Sequence, residues 1–157
     1  MLYDAIILAG GHNAPELKKI APYENEALII IGNLPMINYV YRALRASKNV
    51  GRIVISGPVK DLSVILAKDP DLLFVEGGEN AMESFANAVD LLRQGQMSES
   101  LLIMPTDIPF ITTAAIDDFI SQSERYQADF FYPITSKEVN ERKFPGVSRT
   151  YVKLREG

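Results

Sequence analysis

Residues 2–11 read Leu2-Tyr3-Asp4-Ala5-Ile6-Ile7-Leu8-Ala9-Gly10-Gly11. The apolar, β-branched run over 2–9 predicts a strand buried on both faces, which is the signature of a parallel sheet covered by helices on each side. The glycine pair ends it. From Pro35 onward, Ile37, Val40, Tyr41 and Leu44 recur at helical spacing, and Pro35 suits a first helical turn because its missing N–H is not needed there. A second strand is expected at 52–56 (RIVIS), closed by Gly57-Pro58, then a helix to about Ala67 and a strand at 72–75.

Asn80 followed by Glu83 resembles a capping box, and it opens a helix whose buried stripe is expected to be Met82, Phe85, Val89 and Leu92. Strand 100–104 (SLLIM) follows, then a helix capped by Thr112 or Thr113 with Ile116, Phe119 and Ile120 on its inner face. Residues 128–134 (ADFFYPI) predict another strand, 138–142 at most a helical turn, and 150–154 a last short strand. Alternation of this kind implies an α/β fold, a three-layer, mostly parallel sheet with helices on both faces, in one domain spanning 1–157. The segment from Gly10 to about Glu26 is long for a strand-to-helix connection and marks a candidate functional loop.

Composition narrows the chemistry. The chain has 157 residues and is 47% hydrophobic, enough for one real core. Sixteen Lys and Arg against twenty Asp and Glu give a net charge of -4, so no global positive field exists to hold nucleic acid or an anionic membrane. No cysteine occurs and His12 is the lone histidine, which removes disulfides, thiolate nucleophiles and cysteine-based zinc sites. Asp4 stands where a signal peptide would carry basic residues, and the apolar run 5–9 is too short for a membrane span, so a soluble, cytoplasmic protein is expected.

Two places could carry chemistry. At Leu8-Ala9-Gly10-Gly11 the absence of side chains lets backbone N–H groups approach a phosphate, although an ordinary tight turn would look the same. At Pro105-Thr106-Asp107-Ile108-Pro109 a carboxylate follows an apolar strand, where it can bind a hard cation such as magnesium or, alternatively, serve as a turn or cap residue. In a parallel sheet both lie beyond the carboxyl ends of strands, the edge where ligands bind. An Asp-x-Asp pair of the glycosyltransferase kind is missing because Pro109 takes the second place, and residues 8–13 lack the third spaced glycine of a dinucleotide fingerprint.

Taken in order, Leu8-Ala9-Gly10-Gly11, Ala27-Leu28 with Gly32-x-x-Pro35-Met36-Ile37, Gly77-Gly78 before Glu83-Ser84, and Thr106-Asp107-Ile108-Pro109 resemble the landmarks of MobA-like NTP transferases. The resemblance covers nearly the whole chain and implies a Rossmann-like, glycosyltransferase-A fold of the nucleotide-diphospho-sugar transferase type. It further implies that Leu8, Ala9, Gly10 and Gly11 face the base and phosphates, that Gly78 and Ser84 border the nucleoside pocket, and that Asp107 holds Mg²⁺. The implied reaction joins a nucleoside monophosphate from an NTP, GTP or CTP, to a small phosphorylated acceptor (molybdenum cofactor or a sugar or polyol phosphate), releasing pyrophosphate.

Active relatives carry an Arg shortly after the glycines and a Lys just before the Ala-Leu segment, where this chain has Pro15-Glu16 and Asn25-Glu26. Ala81 stands where some relatives carry an Arg before the helix serine. Lys18 and Lys19 are the candidates to replace a missing cation, since a lysine needs only to place a point charge near the phosphates; the alternative is a solvated pair. Ser84 reads alternatively as a small residue on a polar helix face. His12, Arg149 and Lys153 are weaker candidates, each more readily read as a solvated surface residue. Relatives continue past 151–154 into a segment with a second acidic metal ligand and much of the acceptor pocket, so a chain lacking that part is expected. A non-catalytic nucleotide-binding or regulatory module is the alternative function, and an exposed sheet edge leaves room for a homodimer.

Overall fold

The computed structural model describes residues 2–66 and 69–153. The chain forms two compact units, Met1–Ser121 and Gln122–Gly157. In the first, β1 (Tyr3–Leu8) is followed by a short α1 (Pro15–Lys18), a 3-10 turn at Glu26–Leu28, and the two short strands β2 (Ile30–Ile31) and β3 (Leu34–Pro35). Then come α2 (Met36–Arg45), β4 (Val50–Ser56), α3 (Val59–Ile65), β5 (Leu72–Val75), α4 (Ala81–Arg93), β6 (Leu101–Pro105) and α5 (Thr113–Ser123), all of which but the last two residues of α5 belong to this unit.

Strands β5, β4, β1 and β6 lie side by side in that order, and every pairing between them is parallel. Because β1 is central, both its faces are covered, and Ala5, Ile6 and Ile7 are fully buried. Alternate residues point to opposite faces. Ile7, Ile53 and Ile55 meet Ile37, Val40 and Leu44 of α2, Leu62 of α3 and Ile116 and Ile120 of α5 on one side. Ile6 and Val54 meet Ala88, Val89 and Leu92 of α4 on the other. Each such Val, Leu or Ile side chain contributes about 1.5–3 kcal/mol by leaving water. The three-layer α/β architecture read from the sequence is the one observed.

β2 and β3 form a separate antiparallel hairpin whose turn begins at Gly32, held at φ +64°, a conformation that glycine adopts without steric cost. Pro35 closes this hairpin and stands just ahead of α2 rather than within its first turn. Thr112, not Thr113, caps α5: its hydroxyl accepts from the Ala115 N–H at 3.2 Å, while the Thr113 hydroxyl donates to the Ala43 carbonyl at 2.9 Å.

Four expectations are corrected. Met82 is 73% exposed, because the inner stripe of α4 runs through Ser84, Ala88 and Leu92 at four-residue spacing and a residue two before Ser84 faces away. Residues 128–134 form no strand, and neither do 150–153; Leu154 lies outside the described residues. Phe130, Tyr132 and Ile134 are exposed, and Pro133 removes a ladder donor; β-propensity gives a strand only where a neighbour exists to pair with. In this second unit the expected turn at 138–142 is a fuller helix, α6 (Lys137–Lys143), capped by the Ser136 hydroxyl accepting from the Val139 N–H at 3.3 Å.

At the amino ends of the strands, buried Asp4 takes two bonds from Arg52, Nε to Oδ1 at 3.1 Å and Nη2 to Oδ2 at 2.7 Å. Its Oδ2 also accepts from the Ser98 N–H at 2.8 Å, and Arg52 Nη2 donates to the Gln96 carbonyl at 2.6 Å. Burial by itself would raise the Asp4 pKa; the bonds from Arg52 and Ser98 outweigh it and hold the carboxyl below its ordinary value of 3.8. The stabilisation is therefore full above that value and lost as pH falls through the lower, folded-state value. Arg52→Met leaves a buried carboxylate unpaired, so it is expected to cost about 3 kcal/mol at neutral pH. In urea titrations the deficit should shrink toward about pH 3, as the stranded carboxyl takes up a proton; a deficit constant with pH would contradict this account.

Candidate nucleotide site

The parallel register fixes where the strands end. Leu8 stands opposite Ser56 of β4 and Pro105 of β6, and Ser56 opposite Val75 of β5. Ala9-Gly10, Gly57, Glu76-Gly77 and Thr106-Asp107 consequently leave the sheet along one rim. Gly10 and Asp107 each lie two residues past a paired position on adjacent strands. The glycine turn and the acid that the sequence pointed to are thus brought to the same edge.

Glycine is required here by close approach. A Cβ on Gly57 would stand 2.7 Å from the Ala9 carbonyl oxygen, and one on Gly78 only 2.2 Å from Glu83 Cβ. At Gly77 it would meet the Cα of Gly57 at 3.5 Å and of Gly10 at 3.8 Å, so three strand ends converge on one small patch. Ser84, buried on the first turn of α4, faces this patch, and its Oγ accepts from the Gly78 N–H at 3.0 Å. It is not on a polar helix face. Asn80 caps the helix through bonds from the Met82 and Glu83 N–H groups, both 3.0 Å, while the Glu83 carboxylate accepts from the Glu79 N–H at 2.9 Å.

The long connection after β1 is tied down rather than loose. His12 and Asn25 form an antiparallel bridge, the Asn13 N–H donates to the Glu24 carbonyl at 3.1 Å, and the Glu26 N–H donates to the Gly11 carbonyl at 3.1 Å. Buried Asn25 carries the junction: its Nδ2 donates to the Ala9 carbonyl at 2.7 Å and its Oδ1 accepts from the Ala27 N–H at 2.8 Å. Sequence reasoning missed Asn25. The available signal was an amide immediately before a helical turn, where Asn caps well.

The charged candidates are placed unevenly. Asp107 is exposed, and its carboxylate forms no hydrogen bond or ion pair among the described residues, so it is used neither as a turn clasp nor as the cap of α5. Lys18 is engaged by Glu24 in an ion pair, and Lys19, at the end of α1, is exposed. The bond from Lys18, with the lysine charge behind it, holds the Glu24 carboxyl below its ordinary range. Glu26 is half-buried and lies over Gly11, where a Cβ would stand 2.9 Å from Glu26 Oε2. His12 is exposed, and Arg149 stacks on Phe144 in the second unit, 5.6 Å from the ring centre.

A family model described as the MobA-like NTP transferase domain matches residues 5–151. The chain belongs to this family. Among solved structures, this MobA-like NTP transferase domain is similar to a hypothetical transferase from Thermus thermophilus. The two are 29% identical with a TM-score of 0.77, over 100% of this chain and 61% of that one. The bifunctional IspDF from Campylobacter jejuni is 19% identical (TM-score 0.62, 80% of this chain and 31% of that chain). A 2-C-methyl-D-erythritol 4-phosphate cytidylyltransferase, also from Thermus thermophilus, is 17% identical (TM-score 0.55, 80% and 51%). These two share the fold, the nucleotide-sugar transferase type of α/β sheet. The chain thus spans about three fifths of the length of the hypothetical Thermus transferase. No curated protein matches the chain.

Among the described residues no three His, Asp or Glu side chains gather to hold a metal, and no helix is long and apolar enough to cross a membrane.

Asn25→Ala removes two buried bonds and strands the Ala9 carbonyl, so a loss of about 2 kcal/mol is expected, read as a lowered urea midpoint with an unchanged slope. An effect within experimental error would show that the junction does not depend on this amide.

Proposed function

We propose that this chain is the nucleotide-holding part of a cytoplasmic nucleotidyltransferase that moves a nucleoside monophosphate from an NTP to a small phosphorylated acceptor. The acceptor class is the molybdenum cofactor or a sugar or polyol phosphate, and the donor is GTP or CTP. The observation that carries this reading is the convergence, at one rim of a parallel sheet, of the Gly10-Gly11 turn and the Asp107 carboxylate, which has no partner among the described residues. Family membership and the fold shared with a cytidylyltransferase support it.

In this reading an acceptor phosphate oxygen attacks the α-phosphorus, the bond from that phosphorus to the bridging oxygen breaks, and pyrophosphate leaves with its electron pair. Such transfer depends on positioning and charge neutralisation more than on a protein nucleophile. Gly10 supplies room for a phosphate against backbone N–H groups. Asn25 holds that turn through the Ala9 carbonyl, and Ser84 holds the neighbouring strand end through the Gly78 N–H. Asp107 offers oxygen ligands of the type Mg²⁺ prefers, and one protein carboxylate suffices where substrate phosphates and water complete the shell. Magnesium bound there would offset phosphate charge. Lys19, exposed at the end of α1, is the candidate to supply a further positive charge from this loop, and Lys18 would have to leave Glu24 to do so.

A second reading, a nucleotide-binding module without transfer, is favoured by one observation: Glu26 rather than a cation faces Gly11. Pyrophosphate exchange into GTP or CTP separates the two, since a binding module retains nucleotide affinity without exchange.

Gly10→Ala is the sharpest variant, because its methyl would meet Ser84 Oγ at an ordinary 3.5 Å and the fold should survive. We expect an unchanged melting temperature together with at least a tenfold loss of NTP affinity by calorimetry, of the order seen when a phosphate is denied its backbone contacts. Asp107→Asn should abolish the magnesium-dependent part of binding and leave the rest. Unaltered binding in both variants would remove this rim from consideration.

A further inference from the structure

The approach to Gly11 is guarded by a charge of the wrong sign for its proposed ligand. A Cβ on Gly11 would stand 2.9 Å from Oε2 and 3.3 Å from Cδ of Glu26, so the carboxylate itself covers the face of the glycine. Its position is built in. The Glu26 N–H donates to the Gly11 carbonyl at 3.1 Å, and the preceding Asn25 is fixed by Ala9 and Ala27, so only the side chain can turn aside. Nothing neutralises it: the Glu26 carboxylate forms no ion pair or side-chain hydrogen bond among the described residues, and Lys18 is engaged by Glu24. Half-buried charge is less screened by salt than charge in open water, so it acts strongly at this range.

We infer that Glu26 is a specificity-determining residue that makes the site discriminate by ligand charge, disfavouring a free polyphosphate and admitting one whose charge a divalent cation has already offset. The inference rests on the nucleotide reading above. With Glu26 in place, a naked triphosphate meets a like charge at Gly11, while a magnesium complex of the same nucleotide carries less negative charge to the same place. Discrimination arises from repulsion of the wrong form rather than from a new attraction. Among the described residues the side chain makes no hydrogen bond or ion pair that folding would miss, so its charge can be removed without loss of structure.

The test compares wild type with Glu26→Gln, which keeps shape and removes charge, and with Glu26→Lys, which inverts it. Binding of GTP and CTP is measured by calorimetry, each with chelator and with excess magnesium, at low and high salt. Glu26→Gln should bind the free triphosphate about tenfold more tightly than wild type, with a smaller gain for the magnesium complex, and Glu26→Lys should exceed it. Both gains should narrow as ionic strength rises, a response that a merely structural role would not give. Equal affinities in wild type and both variants would overturn the inference while leaving the nucleotide site standing. Absence of nucleotide binding in all three, each with a normal melting curve, would overturn both.

Discussion

Parallel pairing of β1 with β4 on one side and β6 on the other is the constraint on which the remaining structure depends. It sets Leu8 level with Ser56 and Pro105, and therefore ends three strands at one height. A parallel sheet must send its chain over the faces to return, and the helices that do so, α2 and α3 on one side and α4 on the other, bury both surfaces of β1. What remains free is the rim. There the chain has no ladder to continue, and Gly10, Gly57, Gly77 and Gly78 let backbones and the first turn of α4 crowd together without side chains in the way.

The alternation of apolar runs and amphipathic stretches was sufficient to read this architecture, because each strand of the main sheet carries its own apolar run. Residues 2–9, 52–56, 72–75 and 100–104 carry that signal within themselves. Residues 128–134 carry the same local signal and are no strand, since pairing is a property of a neighbour and no single segment encodes its neighbour. Met82 failed for a related reason: an apolar residue near a helix start fits two stripes equally well, and the tie was broken by Ser84 turning toward the Gly77-Gly78 strand end.

At the rim, Gly10, Gly11 and Asp107 were legible as residue types with a chemical use, and their meeting followed from strand order. Asn25 was not legible, because its importance lies in bonding a carbonyl sixteen residues earlier, a contact set by the path of a whole loop. The sign of Glu26 could be read, but its placement over Gly11 could not. That placement comes from two backbone bonds, Glu26 N–H to Gly11 and Asn13 N–H to Glu24, that fold the loop back on the strand it left.

Asp4 and Arg52 sit at the opposite end of the same strands, joined there with Ser98 and Gln96. The charges that secure the scaffold are therefore separated from the glycine rim by the length of β1. Changes at sites so far apart add in their effect on stability, so the Asp4–Arg52 anchor can be strengthened or relaxed without retuning the glycine edge.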